Sequence, residues 1–201
     1  AGDDINKREK FLEIISKEAS RMTNLVSDLL SLSLVEAKEK RNIKGRVKPE
    51  EVIKSAIEAV NPLVVKKNKR IIFEDVENIT DIPGHEDYLL RVFINLLENS
   101  LHYSEENSTV TVSIKKIFSS DSEAQTGVEI SVNDKSSGIP SEDIPRLTER
   151  FYRVDRSRSR SEGGTGLGLA IVKHILLRHK GKLSVESIKG KGSTFTVYLP
   201  S

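Results

Sequence analysis

The segment Asn95-Leu96-Leu97-Glu98-Asn99-Ser100-Leu101-His102-Tyr103, taken with Gly163-Gly164-Thr165-Gly166-Leu167-Gly168-Leu169 further along the chain, decides the fold. At about 100° per residue, Arg91, Asn95, Asn99 and His102 fall within about 80° of one another on a helix. Leu89, Phe93, Leu96 and Leu97 occupy the opposite face. The helix is therefore expected to anchor itself to a core while presenting amides and an imidazole to a polar space. The second segment is a glycine-rich loop running directly into an apolar helix, an arrangement that offers backbone N–H groups and a positive helix end to anions.

Working outward, two strands with period-two alternation follow the asparagine helix, Val110-Val112-Ile114 and Val128-Ile130-Val132, joined by the polar stretch 119–126. Two more, 183–187 and 193–199, close the chain around the turn Lys189-Gly190-Lys191-Gly192. A helix is expected from 167 to about 179, ending near Gly181. Upstream, Ile71-Ile72-Phe73 reads as a short strand, and a helix is expected from Pro49 to about 67, with proline at a helix start where its missing N–H is tolerated. The asparagine helix itself spans 86 to 104. Strand pairs interleaved with helices on one side of a sheet indicate an α+β, two-layer α/β sandwich.

Residues 5 to about 40 read as one long helix. Leu12, Ala19 and Val26 recur every seven residues, as do Ile15, Met22 and Leu29, and Phe11, Leu25, Leu30 and Leu32 widen that stripe. It is expected to be one helix of a four-helix bundle, its apolar face meeting another chain, the rest of this chain or a missing segment; the alternative is an ordinary amphipathic helix docked on its own domain. Residues 38–48 turn polar and basic, which suits a hinge, so the expected division is 1–44 and 45–201.

Composition narrows the function classes. The 201 residues are 36% hydrophobic and 31% charged with a net charge of +2, which argues against a dedicated nucleic-acid binder. There is no cysteine, hence no disulfide or thiolate metal site. No run of eighteen apolar residues exists to span a membrane, and Ala1-Gly2-Asp3-Asp4 carries no signal-peptide pattern.

Three groups of residues carry chemistry. Asn95 and Asn99 stand one turn apart, and a side-chain amide plus phosphate oxygens makes a reasonable Mg²⁺ shell. Asp134 leaves the end of an apolar strand in Asp134-Lys135-Ser136-Ser137-Gly138, where a carboxylate can accept from an exocyclic amine and Gly138 lets a flat ring approach the backbone. The glycine loop lacks the Gly-Lys-Ser/Thr of a Walker loop and the preceding strand of a dinucleotide fingerprint. Upstream of it lie Arg150, Arg153, Arg156, Arg158 and Arg160 in a serine-rich stretch, 153–165, that suits a basic lid. Together these residues suggest Mg²⁺ and ATP.

Their order along the chain resembles the catalytic domain of sensor histidine kinases of two-component systems, within the ATP-binding superfamily shared with gyrase, Hsp90 and MutL. Residues 95–103 match the N box, 134–138 the first glycine box, 149–153 the F box, 164–169 the second glycine box and 190–195 the third. Residues 21–30 resemble the second helix of the family's dimerisation domain, and 150–155 with 170–174 look most like phosphate-regulon sensor kinases. The resemblance implies a Bergerat (GHKL-type) sandwich preceded by a dimerisation helix. It implies that Asn99 ligates Mg²⁺ with Asn95 and His102 near the phosphates, and that Asp134, helped by Thr194, binds the adenine amine. Tyr103 and Arg153 would line the nucleotide pocket, and Gly164, Thr165, Gly166, Leu167 and Gly168 would close on the triphosphate. It further implies a cytoplasmic portion of a protein anchored in the inner or plasma membrane, homodimeric at full length, with its own dimerisation helix and a response regulator as partners.

Several positions depart from the pattern. Ser136 replaces a glycine, Thr148 a phenylalanine, His102 a frequent lysine, and His85 a frequent aspartate. Ser136 is expected to crowd the adenine or force the turn, and His102 to neutralise phosphate less fully at neutral pH. The superfamily's ATPases place a water-activating glutamate where Asn95 stands, so water attack is not favoured here. Glu98, about 100° round the helix from Asn99, is not expected to substitute. None of His85, His102, His174 and His179 has the surroundings of the family's phosphoacceptor, so the chain is expected to bind ATP without phosphorylating itself. Two alternatives stand beside this reading: a non-catalytic signalling scaffold, and a serine kinase acting on an anti-sigma-type partner, against which the helix 21–30 speaks.

Overall fold

The structure, a computed structural model, describes residues 2–37, 45–74, 79–118, 125–154 and 164–201. A long helix α1 (Gly2–Ala37) is followed by β1 (Arg46–Val47), α2 (Pro49–Lys66), β2 (Arg70–Glu74), β3 (Ile82–Pro83), α3 (Glu86–Tyr103), β4 (Thr109–Phe118) and β5 (Gln125–Asp134). A 3-10 turn (Ile144–Arg146), α4 (Gly168–Arg178), β6 (Lys182–Ile188) and β7 (Gly192–Pro200) complete the described order. Five strands form one mixed sheet in the order β2-β4-β5-β7-β6; only the β2–β4 pair is parallel. That pair requires a crossover, which β3 and α3 supply. The arrangement is the expected α+β sandwich. The two-residue strands β1 and β3, paired apart from the main sheet, carry too little sequence to show a period.

Alternation along the strands separates the two faces of the sheet. Val110, Val112 and Ile114 of β4, Val128, Ile130 and Val132 of β5, and Phe195, Val197 and Leu199 of β7 are all buried under the helices. The intervening residues form a polar outer face, where Ser131 and Thr196 share a hydrogen bond of 3.0 Å. Against the inner face α3 buries Leu89, Phe93, Leu96, Leu97 and Leu101, the face expected from its periodicity. Burying a large apolar side chain of this kind contributes about 1.5–3 kcal/mol.

Two buried polar groups fix the ends of α3. Lys69, only 8% exposed, donates from Nζ to the carbonyls of Leu101 and Ser104 at 2.6 and 2.7 Å and to Ser104 Oγ at 2.8 Å. A cation is thus seated at the negative end of the helix that carries the amides. At the other end, the backbone N–H of the N-cap residue His85 donates to His179 Nε2 at 3.1 Å. His179 Nδ1 lies 2.8 Å from the carbonyl of Ile175, so the ring proton resides on Nδ1 and the ring is neutral. Helix α4 ends just before this histidine; the left-handed residue of its cap is Lys180 (φ 53°), not the glycine. Gly181 serves instead as a close-approach point, since a Cβ there would lie 2.5 Å from the carbonyl oxygen of Tyr198.

Burial holds the His179 imidazole below the usual histidine range, partly offset by the Ile175 carbonyl and reinforced by Arg178 and His85. The folded state therefore prefers the neutral ring. Its contribution is fully present above the ordinary value of 6.5 and is lost as pH falls through that value toward the lowered one. The urea midpoint is accordingly expected to fall between about pH 7.5 and about pH 5, with a shallower fall in His179→Gln. Equal slopes in the two proteins would remove His179 from this account.

Helix α1 leaves most of its heptad stripe uncovered within this chain. Leu32 is buried and Leu25 packs beside it against the core, but Leu12, Ile15, Met22, Val26 and Leu29 of the heptad stripe are exposed. Through its C-terminal half α1 also rests on α4, so the rest of this chain is one partner of its apolar face. The hinge residues 38–44 lie outside the described residues, as do 119–124 of the loop between β4 and β5 and 155–163 of the basic lid.

Candidate nucleotide site

Between the polar face of α3, the end of β5, the glycine loop and α1 lies a cleft of about 730 Å³. This is within the range that holds a small-molecule ligand. Asn95, Asn99, His102 and Tyr103 line it from α3, Asp134 and Gly138 from the end of β5, and Arg153, Gly164, Thr165, Gly166 and Gly168 from the lid and loop. The carboxylate and the amides, read from segments about forty residues apart, thus face one space.

At one end Asp134 is 3% exposed. Its Oδ2 accepts from Ser100 Oγ at 3.2 Å; its Oδ1 is buried with no hydrogen-bond partner. Burial pushes the carboxyl up from the usual range, and the Ser136 and Ser100 hydroxyls and the Ser193 and Ser136 amides pull it partly back. A buried acceptor left open in this way is costly unless a donor arrives. The wall beside it has no room for a side chain: a Cβ on Gly138 (φ +73°) would lie 2.3 Å from the Ile188 carbonyl oxygen. Ser136 does not force the turn, since its φ lies outside the left-handed region. Its hydroxyl is held by Ser193 Oγ at 3.2 Å and accepts from the Gly138 N–H at 3.3 Å.

At the other end the chain turns through Gly166 (φ +74°), whose carbonyl accepts from the Phe151 N–H at 2.9 Å. The glycine at the start of α4 permits contact with α3, because a Cβ on Gly168 would lie 2.8 Å from Asn95 Oδ1. Asn95 Nδ2 donates to the Arg91 carbonyl at 2.9 Å. Arg153 donates to the Gly164 carbonyl and, at 3.5 Å, to the Tyr103 hydroxyl. Thr165 is already engaged: its hydroxyl donates to Asp28 Oδ2 at 2.8 Å and accepts from the Leu167 N–H at 3.2 Å. Asp28 Oδ1 in turn pairs with Arg91 Nη2 at 2.8 Å.

Two expected site residues fall elsewhere. Thr194 stands on the outer face, accepting from Asn133 Nδ2 at 2.7 Å. Strand alternation makes its neighbour Ser193, directly opposite Asp134, the pocket residue. Leu167 is fully buried in the core, where it anchors the start of α4. Of the lid arginines, Arg150 is exposed and does not line the cleft, while Arg156, Arg158 and Arg160 lie outside the described residues.

Sequence reasoning assigned no role to Asp28, Ser100 or Ser193, and noted Arg91 only as part of the polar face. Glu98, set aside on its angle, nonetheless lines the cleft on the α1 side. Although its side chain keeps solvent contact, shielding pushes its carboxyl up, the Asp28 carboxylate adds to this and Arg91 opposes it. Spacing alone identifies Arg91 and Glu98 as neighbours of the amide face. Asp28 comes from a helix more than sixty residues away, and no local pattern marks it.

Residues 84–201 match the family described as "Histidine kinase-, DNA gyrase B-, and HSP90-like ATPase". The phosphate regulon sensor protein PhoR of Pseudomonas aeruginosa is 37% identical over 197 residues, covering 98% of this chain and 43% of the relative. The sensor histidine kinase WalK of Bacillus subtilis is 34% identical over 195 residues, 95% of this chain and 30% of the relative. Among solved structures, the mycobacterial sensor histidine kinase MprB superposes with a TM-score of 0.62 at 26% identity, covering 78% of this chain and 96% of that one. Full-length ShkA in complex with AMPPNP superposes with a TM-score of 0.75 at 23% identity, a likeness of fold, over 91% of this chain and 36% of that one. The chain thus spans less than half the length of PhoR and of WalK.

Proposed function

We propose, from the premise that this chain belongs to the histidine kinase-, DNA gyrase B- and HSP90-like ATPases and carries the ATP-binding domain of two-component sensor histidine kinases, that its cleft positions Mg·ATP for transfer of the γ-phosphoryl group to a histidine on a dimerisation helix, for relay to a response-regulator aspartate. One observation carries the reading: Asp134, whose buried Oδ1 has no hydrogen-bond partner, lines the same cleft as Asn99. An exocyclic amine supplies the donor that this oxygen lacks, and the flat approach past Gly138 suits a purine.

With the base there, α3 runs alongside the phosphates. Asn99 would hold the Mg²⁺, with Asn95 and His102 beside the phosphate oxygens and Tyr103 and Arg153 closing the side. Gly164, Thr165, Gly166 and Gly168 would cradle the terminal phosphates at the start of α4. Bound Mg²⁺ would neutralise charge on the phosphate oxygens. The chain's own residues act by orienting the nucleotide and excluding water. With an asparagine at position 95, no carboxylate stands ready to activate water there, which favours a protein acceptor over hydrolysis.

The same proposal includes the division at residues 44 and 45, α1 as the second dimerisation helix of a homodimer, and a membrane-anchored whole protein. Among the described residues no helix is long and apolar enough to cross a membrane. The scaffold alternative draws no support from the cleft, which every expected site residue except Thr194 and Leu167 lines.

Incubation with γ-labelled ATP and a separate polypeptide carrying the first dimerisation helix is expected to give acid-labile, base-stable label on that polypeptide's histidine. Asn99→Ala is expected to lower the rate by about two to three orders of magnitude. Undiminished labelling with Asn99→Ala would contradict the assigned role, and no labelling with the unaltered chain would contradict the reaction.

A further inference from the structure

The Asp28 carboxylate joins three elements at the cleft. From α1 it pairs with Arg91 of α3 and accepts from Thr165 of the glycine loop, each at 2.8 Å. Asn24 and Ser27, on the same side of α1, line the cleft with it. Both oxygens of the carboxylate are thereby used, and so is the Thr165 hydroxyl, which also accepts from the Leu167 N–H.

Position along the cleft gives this contact its meaning. Asp134 is tied to α3 at Ser100, whereas Asp28 is tied to it at Arg91, nine residues and so about 13 Å nearer the start of the helix. A nucleotide whose base sits on Asp134 reaches toward Asp28 with its terminal phosphate. There it meets a carboxylate, with Glu98 close enough to be perturbed by that charge. The guanidinium and hydroxyl that would receive the phosphate are already occupied. A diphosphate is one phosphate shorter toward this end.

We propose that Asp28 is a specificity-determining residue that sets triphosphate against diphosphate: with α1 docked, its carboxylate competes with the γ-phosphate for Arg91 and Thr165. This inference rests on the nucleotide reading above. ATP must displace Asp28 and so loosens α1, while ADP leaves the contact in place. By linkage, α1 docking and ATP binding weaken one another by the same factor.

The test measures Mg·ATP and Mg·ADP affinities by calorimetry for the unaltered chain, Asp28→Asn and Asn24→Ala. Asp28→Asn is expected to tighten ATP by about tenfold at low salt while changing ADP less than about twofold, a selectivity that shrinks at high salt. Asn24→Ala, which alters the same side of α1 but keeps the Asp28 carboxylate and its contacts to Arg91 and Thr165, is expected to leave the ATP-to-ADP ratio unchanged. Independently, amide hydrogen exchange over residues 20–32 of the unaltered chain is expected to be faster with saturating ATP than with saturating ADP. Equal shifts for both nucleotides, weaker ATP binding in Asp28→Asn, or equal exchange with ATP and ADP overturns the competition while leaving the pocket assignment standing. Failure of the unaltered chain and of Asp28→Asn to bind either nucleotide overturns the pocket assignment itself, and the competition with it.

Discussion

Replacing Asp134 by asparagine is expected to weaken ATP binding by about two orders of magnitude while leaving the unliganded fold at least as stable. The two effects share one cause. In the free protein the carboxyl is buried, its Oδ1 has no donor, and burial pushes it up from the usual range. A carboxyl raised in this way favours folding only below its unfolded value, and the benefit is lost as pH rises through the folded value. Above its raised folded value the ionised group is therefore a burden that asparagine removes. With nucleotide present the sign reverses. The amide can keep the Ser100 hydroxyl as a donor to its oxygen, but its NH₂ then opposes the exocyclic amine, and two donors face each other in a dry site. Calorimetric titration with Mg·ATP, paired with thermal unfolding of the free protein, reads both halves. Unchanged affinity contradicts the adenine assignment. Lost affinity with a marked drop in melting temperature means that the variant has lost the site's framework.

Gly192→Ala is expected to be the most damaging single-methyl change in the described chain, by about 3 kcal/mol, or roughly 6–12 °C in melting temperature. The residue has a φ of +112° and opens β7 directly after the turn from β6. A Cβ there would lie 2.1 Å from the Asp134 carbonyl oxygen and 3.1 Å from its carbonyl carbon. Both are backbone atoms, so no rotamer change relieves the contact, and the β6–β7 turn must move away from the end of β5. That motion also separates Ser193 from Asp134, its partner across the strands. The same methyl added at Gly190, also at positive φ, meets nothing within 4 Å and should have only the smaller backbone cost. Comparing the two alanine variants by thermal unfolding separates collision from conformational preference. Equal losses would show that the approach to Asp134 is unimportant.

How much of this was legible in the sequence depended on the range of the signal. The helices from Pro49 and through the asparagine box, and the five strands of the main sheet, announced themselves by local periodicity, and each lies within a few residues of its expected bounds. The paired two-residue strands β1 and β3 have no period to read. Parity explains the misplacement of Thr194. In a strand that is buried on one side only, a slip of one residue exchanges inside for outside, and the glycine turn before it does not fix which of Ser193 and Thr194 faces in. Leu167 stands inside a glycine loop but is the apolar residue that seats the loop on the core. The Asp28 contacts span 63 and 137 residues of sequence. Nothing local to a heptad-patterned helix distinguishes that aspartate from a solvated one.

The unexpected buried lysine belongs to the same long-range class. Lys69 follows the left-handed Asn68 at the end of α2, and its ammonium reaches the last carbonyls of α3. Ser104, which it also touches, pairs with Ser136 in the turn beyond Asp134. The amide-bearing helix and the carboxylate-bearing turn are thus bound to each other at the point where the cleft begins, so the distance between Asn99 and Asp134 is set by a rigid joint.

That joint makes the convergence of the two residues directly measurable. In a titration of the isotope-labelled protein with Mg·ATP followed by backbone amide resonances, the account expects Asp134, Gly138 and Ser193 to shift together with Asn95, Asn99, Gly166 and Gly168, all along one saturation curve, while the outer face of the sheet stays still. Perturbation of only one of these two groups, separate curves for each, or shifts centred on the outer face would mean that the carboxylate at 134 and the amide at 99 do not share a nucleotide.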